Sequence, residues 1–317
     1  MLTFLARRFA LALVALVLLS VIVFALGQLL PGDIGRNVLG GFASQDSVDA
    51  FNKERGLDRS PVTQYFDWAS HAVRGDFGKS YTSGESVNSI LSRALPKSAE
   101  LALFAFVLMI PLAFVGGLIA ALNAYRPPDR IISIAGLSLT VVPEFVSALL
   151  AIVVFGIVLG WLPVSARWPE GAGVLTQLRY LLLPALVLVG VLFGYVSRMV
   201  RAGTIEALDA DYTRTAYLKG LGLRTVLFKH VLRNALLPTI AVVATQIGYL
   251  LGGLVIVERA FNYPGMGQEI VSHAVLKDYT VVQAGAMVIG ATYLTATVLA
   301  DIAYSLLNPR IRFGSSE

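Results

Sequence analysis

Apolar residues along the chain gather into six long runs, which polar stretches of unequal length separate. An α-helix needs about 20 consecutive apolar residues to cross the hydrocarbon layer of a membrane. Each of the six runs reaches that length. The pattern therefore predicts an all-α membrane protein with six transmembrane helices, at Phe9–Leu30, Leu101–Leu122, Ile131–Leu162, Tyr180–Val200, Leu236–Val257 and Val281–Leu307.

The third run is longer than one crossing requires and contains the sequence VVPEF. Pro143 lacks a backbone N–H donor, so it should kink or break the helix. Glu144 follows it directly, and an acid inside a span is costly and often functional. Glu144 either faces an aqueous path and contacts cargo, or lies solvated at the edge of a cavity without contacting cargo.

The composition agrees with this class of protein. The chain is 56% hydrophobic and only 14% charged, whereas a soluble domain carries about 25% charged residues. The first run exceeds the apolar core of a signal peptide and no A-x-A-like site follows it, which predicts a retained first span. The absence of cysteine excludes disulfides, thiolate nucleophiles and cysteine-ligated metal sites.

Basic residues are distributed unequally between the two sets of loops. With both termini in the cytoplasm, the cytoplasmic segments 1–8, 123–130, 198–235 and 308–317 carry a net charge of +8, and the outer segments carry −1. Cytoplasmic loops of membrane proteins are enriched in Lys and Arg. The asymmetry predicts that both termini lie in the cytoplasm.

The sizeable outer segment is 31–97, and its pattern predicts one amphipathic helix. Ser60 can cap this helix, Pro61 suits its first turn and Gly75 can end it. The helix either packs on the membrane or on its own domain, or it receives a partner. The nearby GDFGKS lacks the earlier glycine of a phosphate-binding loop, so we expect no nucleotide there.

A polar and basic stretch, Glu206–Pro238, lies between the fourth and fifth runs and is broken at Gly220-Leu221-Gly222. Its ends are tethered to two neighbouring spans, so it cannot easily lie along a nucleic-acid groove. A helical hairpin that docks a cytoplasmic protein fits this position better. No paired nucleophile and base, and no cluster of metal ligands, is visible in the sequence, so we expect no catalytic residue and no metal site.

This stretch resembles the cytoplasmic loop of ABC importer permeases, in which Glu-Ala-Ala, three residues and Gly are followed by Leu-Pro. Alignment on Gly220 matches Ala216 and Leu232, while Arg214, Thr215 and Arg233 depart from the pattern. The departures fit a narrower family, the B-type permeases of dipeptide, oligopeptide and nickel importers. Ordered motifs along nearly the whole chain carry this resemblance: LARRF, LLPGD, GLDRSPVTQYFDW, RGDFGKSYTSGESV, LPKSAELAL, GWLPVS, DYTRTAYLKGL, LRNALLP, VERAFNYPGMG and DIAYSLLNPRIR.

The resemblance implies the six-helix fold of type I importer permeases, with a small outer domain between helices 1 and 2. It implies four kinds of partner: a second homologous permease, two ATP-binding subunits, an extracytoplasmic substrate-binding protein and the lipid bilayer, with no nucleic acid. ATP and Mg would be used by the ATPases, and this chain would bind no cofactor. The residues expected to couple to the ATPases are Asp211, Tyr212, Arg214, Thr215, Ala216, Lys219 and Gly220.

The residues expected along the substrate path are Pro143, Glu144 and Gln246. Glu144 stands where the family commonly has a small polar residue.

Peptides are the expected cargo; nickel, glutathione, opines or oligosaccharides are alternatives carried by the same type of importer. An ATP-independent channel or secondary transporter is the alternative of another class. The expected divisions are 1–30, the tail and first span; 31–97, the outer domain; 98–307, the permease core with its coupling loop at 201–235; and 308–317, a cytoplasmic tail.

Overall fold

The computed structural model describes residues 2–29 and 33–307 of the chain, so the predicted tail at 308–317 lies outside the described residues. Over the described part the chain is helical, and its one strand-like feature is an isolated bridge between Lys79 and Ser86. The helices are α1 Leu2–Leu29, α2 Ile34–Leu39, α3 Gln45–Glu54, α4 Pro61–Val73, α5 Val87–Leu122, α6 Pro127–Val141, α7 Glu144–Ala151, α8 Val174–Asp209, α9 Asp211–Leu218, α10 Leu223–Val226, α11 Leu232–Ala260, α12 Met266–Val275 and α13 Tyr279–Leu307. Single π-helical segments extend α7 over Ile152–Val158 and α10 over Leu227–Val231.

Four of the described helices are long and apolar enough to cross a membrane by themselves: Ala6–Leu29 of α1, α5, α8, and Tyr279–Leu299 of α13. The pair formed by α6 and Glu144–Val158 passes the same test together, as one broken span or a re-entrant loop. Helix α11 covers the predicted fifth run. The chain is therefore a multi-pass helical membrane protein.

The predicted break at Pro143 is confirmed. Helix α6 ends at Val141, Pro143 has an extended ψ of 141°, and α7 begins at Glu144. The axes of the two pieces differ by 109°. The carbonyl of Pro143 accepts hydrogen bonds from the backbone N–H groups of Val146 and Ser147, which starts the new helix.

The contacts divide the chain into two compact units, 1–99 with 264–294 and 100–263 with 295–317. In the first unit, the predicted helix cap at Ser60 is confirmed, because its hydroxyl accepts from the backbone N–H of Thr63 at 3.3 Å. Pro61 occupies the first turn of α4, and Gly75 follows the helix end with a φ of +79°. The hydrophobic core of this unit contains Val87, Ile90, Leu91, Ala94, Met266, Val281 and Ala284.

In the second unit, α8 packs against both α6 and α11. A Cβ atom at Gly194 would collide with the backbone of Gly136, and one at Gly203 would collide with the carbonyl of Ala235. Glycine at these points lets helix backbones approach closely, as in other membrane bundles. Helix α8 is thereby fixed along most of its length, including the part that leads into the polar stretch.

A buried ion pair joins the start of α6 to α8. Arg201 donates from Nε and Nη2 to the two carboxylate oxygens of Asp129, at 2.6 and 2.7 Å. The backbone N–H of Tyr125 donates to the same carboxylate at 2.8 Å, and the Arg201 guanidinium lies 5.8 Å from the Tyr125 ring centroid. A bidentate pair of this kind fixes geometry as well as charge.

We expect Arg201→Leu to destabilise the second unit, because it leaves the buried Asp129 carboxylate without its cation. Arg201 is partly exposed, so the expected loss is about 3 kcal/mol, the lower end for a broken buried pair. The measurement is the thermal unfolding midpoint of the purified permease in detergent. Arg198→Leu, three residues earlier at an exposed position of α8, is the matched control.

The double variant Asp129→Leu with Arg201→Leu should recover part of the lost stability, because no buried charge is then left unpaired. An equal effect of Arg198→Leu, or no recovery in the double variant, would show that the pair is not what holds α6 to α8.

Candidate functional site

The polar stretch between α8 and α11 forms a compact helical hairpin, made of α9, the turn at 219–222 and α10. Helix α9 begins at Asp211, immediately after α8 ends at Asp209. Gly220 has a φ of +77°, a conformation that glycine adopts without a Cβ penalty. The prediction that Gly220 ends this helix is confirmed, since the last helical residue is Leu218.

The hairpin has a small hydrophobic core of its own, which contains Ala207, Ala216, Val226, Leu227, Val231 and Ala235. The Thr213 hydroxyl donates to the Ala207 carbonyl at 2.6 Å and ties α9 to the end of α8. Ala216 is only 4% exposed. Ala216, one of the residues expected to couple to the ATPases, therefore packs inward, where its small size lets α9 lie close to α10.

The outward surface of the hairpin is both apolar and basic. Leu218 is 82% exposed and Phe228 is 69% exposed, with Tyr212, Tyr217 and Leu223 also exposed. Arg214, Lys219 and Arg224 are exposed among them. Exposed large apolar side chains that polar residues surround are typical of a protein-interaction surface. Asp211 and Thr215, two further residues expected at this site, are exposed on α9 as well.

Of the three residues expected along a path, Pro143 and Glu144 lie at the start of α7, next to α11. The Glu144 carboxylate lies beside Gly253 of α11, 3.8 Å from the place where a Cβ would stand. Gln246 precedes Gly253 by seven residues, so it lies on the same face of α11, about 10 Å away along the axis. Gln246 is buried, and its Oε1 has no hydrogen-bond partner among the described residues.

In the first unit, one buried carboxylate holds the loop at residues 80–84 through several hydrogen bonds. Asp278, between α12 and α13, accepts hydrogen bonds from the Ser80 hydroxyl at 2.5 Å and the Thr82 hydroxyl at 2.9 Å. The backbone N–H groups of Tyr81 and Thr82 also donate to it, both at 3.2 Å. Four donors on one carboxylate hold the loop in a single shape while Thr82, Ser83 and Gly84 stay exposed.

The base of this loop is held by a second carboxylate. Glu85 accepts from the Arg93 guanidinium at 2.6 Å and from the Ser89 hydroxyl at 2.9 Å. The Arg93 guanidinium lowers the pKa of the Glu85 carboxyl, so it stays ionised as the pH falls. Burial, in contrast, raises the pKa of the Tyr81 hydroxyl, so Tyr81 stays neutral.

Sequence reasoning missed Asp278, Asp129 and Arg201. Each is an ordinary charged residue near the end of an apolar run, and its partner lies far away along the chain. The spacing of residues along a sequence cannot reveal such pairs. GDFGKS, by contrast, follows the helix α4 and not a strand, in keeping with the expectation that it is not a phosphate-binding loop.

Together, the fold and these sites describe a multi-pass helical membrane protein with a helical hairpin between α8 and α11, whose outward surface is apolar and basic. Comparison with known families identifies the class of membrane protein. The family model described as "Binding-protein-dependent transport system inner membrane component" matches residues 113–313, and the N-terminal model of the same family matches 1–102. The chain belongs to this family and is a transmembrane permease subunit of an ABC importer. This excludes an ATP-independent channel or secondary transporter.

Two relatives align over nearly their whole length. A Brucella abortus (strain 2308) protein, provisionally named as a peptide transport system permease protein, is 34% identical over 97% of this chain and 98% of its own. The glutathione transport system permease protein GsiC of Escherichia coli (strain K12) is 33% identical over 99% of this chain and all of its own.

One solved structure shares the fold. It is described as an amino acid ABC transporter with histidines, and it superposes with a TM-score of 0.51 at 16% identity. The superposition covers 70% of this chain and 94% of that chain. At this identity the likeness concerns the fold alone.

Proposed function

We propose that this chain forms half of the translocation path of an ATP-driven peptide importer. The other half comes from a second, homologous permease, and two cytoplasmic ATPases drive the cycle. Cargo arrives on an extracytoplasmic substrate-binding protein. The chain itself is not an enzyme and binds no cofactor; ATP and Mg belong to the ATPases.

The observation that carries this proposal is the hairpin surface. It combines exposed apolar side chains with cations on a folded element that is continuous with α8 and α11. A partner bound to Leu218 and Tyr217 would move α8 and α11 together with α9. The Thr213 hydrogen bond and the hairpin core prevent α9 from moving independently. Closure of two ATPases would then be transmitted to the bundle, which would alternate between outward-open and inward-open states.

We expect Leu218→Asp to reduce binding of the ATPases to the permease pair. Loss of a central apolar contact costs about 2 kcal/mol, which is roughly a 30-fold loss of affinity. The measurement is recovery of the ATPases with the affinity-purified permease, followed by ATP hydrolysis stimulated by loaded binding protein in proteoliposomes. Permease stability should not change, since Leu218 is almost fully exposed.

Thr225→Asp is the matched control, because it adds the same charge to an exposed position of α10. Ala216→Arg should behave differently from both and should lower the stability of the permease itself. Normal ATPase recovery and normal stimulated hydrolysis in Leu218→Asp would show that this surface does not couple the permease to its ATPases.

Peptides are the cargo that the relatives favour, since one is named for peptide transport and the other for glutathione, which is itself a small peptide. Within that class, we propose that Glu144 selects cargo with a cationic or amine group. Its carboxylate has no ion-pair partner among the described residues, and it lies at a break where the helix backbone is interrupted. A lipid-facing charge would cost about 3 kcal/mol, so an aqueous path is the favourable surrounding.

We expect Glu144→Gln to change cargo preference without affecting assembly. Uptake of lysine-containing peptides should fall relative to neutral peptides of the same length, because the amide keeps the shape of the carboxylate but not its charge. Uptake of a panel of labelled peptides into proteoliposomes measures this ratio. Glu170→Gln, at an exposed loop position of the same unit, should leave the ratio unchanged. An unaltered ratio in Glu144→Gln would remove this residue from the path.

We further propose six crossings with both termini in the cytoplasm and with 31–97 as the outer domain that meets the binding protein. The loop charges of +8 and −1 support the orientation. The braced loop at 80–84 supports the contact, because a preorganised loop loses little entropy when a partner binds it. Tyr65 and Trp68 pack within the first unit, so this contact does not depend on them.

The lack of native cysteine makes single-cysteine labelling direct. An impermeant thiol reagent applied to intact cells should label Ser83→Cys and not Ser315→Cys, the second of which lies outside the described residues. Addition of loaded binding protein to proteoliposomes should protect Ser83→Cys but not Ser70→Cys, an exposed position of α4. Labelling at 315 alone would reverse the orientation, and equal labelling of Ser83→Cys with and without binding protein would contradict the contact.

A further inference from the structure

Helix α4, Pro61–Val73, has an apolar stripe that no described residue covers. Val62, Phe66, Ala69 and Val73 recur at intervals of four, three and four residues, which places them on one face. Val62 is 65% exposed, Phe66 is 66% exposed and Val73 is 89% exposed. Three large apolar side chains in one exposed row are unusual for a helix that faces water.

A second face of α4 packs against α1. The Tyr65 and Trp68 rings contact the Phe24 ring, with centroids 5.4 and 6.1 Å away. The Tyr65 hydroxyl also lies 2.9 Å from the Ser20 hydroxyl, within hydrogen-bond distance. These contacts fix the position of α4 along the axis of α1.

The residues of α1 that contact α4, Ser20 and Phe24, lie within its apolar part. Phe24 precedes the last helical residue, Leu29, by five residues and Ser20 precedes it by nine, which corresponds to about 7.5 and 13.5 Å along the axis. Half of the hydrocarbon layer is about 15 Å thick. Leu26 and Leu29, at the same end of α1, are exposed apolar residues as well. The stripe of α4 therefore lies at the same depth as exposed apolar residues of a transmembrane helix.

The third face of α4 is polar. Thr63, Asp67 and Ser70 are exposed there, and the Asp67 carboxylate lies 3.7 Å from the Arg59 guanidinium and 3.9 Å from the His71 ring. On a helical projection these residues stand about a quarter turn from the stripe, on the side opposite the α1-facing residues Tyr65 and Trp68. Helix α4 thus has one face for α1, one apolar face and one face suited to water.

We propose that α4 is an interfacial helix embedded in one leaflet of the bilayer, at the end of α1 that contains Leu29. The stripe lies among the acyl chains and the polar face points to water. An amphipathic helix in this position is buried about 5 to 10 Å below the headgroups. The occupant of the stripe is lipid, and the helix anchors the segment that follows α1 to the membrane surface.

Site-directed spin labelling of the permease pair in proteoliposomes tests this proposal. Single cysteines replace Val62, Phe66 and Val73 on the stripe, and Thr63 and Ser70 on the polar face serve as matched controls one helical face away. Val17, exposed on α1, is the lipid standard. Collision of each label with oxygen, which partitions into lipid, is compared with collision with a water-soluble nickel chelate. Each labelled variant is used only if it retains transport.

We expect labels on the stripe to collide rarely with the nickel chelate and often with oxygen, as the label at Val17 does. Labels at Thr63 and Ser70 should collide often with the nickel chelate and less often with oxygen. High nickel collisions at the stripe would place it in water and overturn the proposal. Low collisions with both reagents would show that protein covers the stripe, which would also overturn it and would favour a partner-receiving surface.

Discussion

Close approach between α8 and its two neighbours is the constraint on which the second unit depends. In a membrane, helices gain no hydrophobic free energy by leaving lipid for one another, so they associate through packing and a few polar contacts. Gly136 and Gly194 supply the packing between α6 and α8, and the Asp129–Arg201 pair supplies the polar contact at one end of the same interface. Helix α8 is consequently held in place by its neighbours, and the hairpin begins at its C-terminal end.

Local contacts hold the hairpin rigidly to the end of α8. Helix α9 starts one residue after α8 ends, the Thr213 hydroxyl bonds to the last turns of α8, and Ala216 packs inside. An element of eight residues would not hold its shape in isolation, because isolated helices of that length are unstable in water. Its stability comes from the packing beneath it, and a load applied to its outer surface is therefore passed to α8 and α11.

The parts of the structure that local patterns determine were predictable. Apolar runs of 20 residues predict the long helices, Pro143 predicts the break, Ser60 with Pro61 predicts the start of α4, and Gly220 predicts the end of α9. The orientation of Ala216 was not, because a short amphipathic helix can turn its small residues either toward a partner or toward the next segment of its own chain. The Asp278 loop brace depends on residues nearly 200 positions apart, and no local pattern encodes such a pairing.

The break at Pro143 links the fold to the proposed path. Irregular backbone at membrane depth is tolerated where it is buried in protein or lines water, since lipid cannot satisfy its hydrogen bonds. The same break creates the N-terminus of α7, whose unpaired N–H groups and dipole favour a negative charge, and Glu144 stands there. Gln246, on the same face of α11 as Gly253, is buried, and its Oε1 has no hydrogen-bond partner in the described part of the chain. An acid beside interrupted backbone on otherwise apolar helices is costly for a purely structural role, and a cargo with a positive charge would stabilise the Glu144 carboxylate.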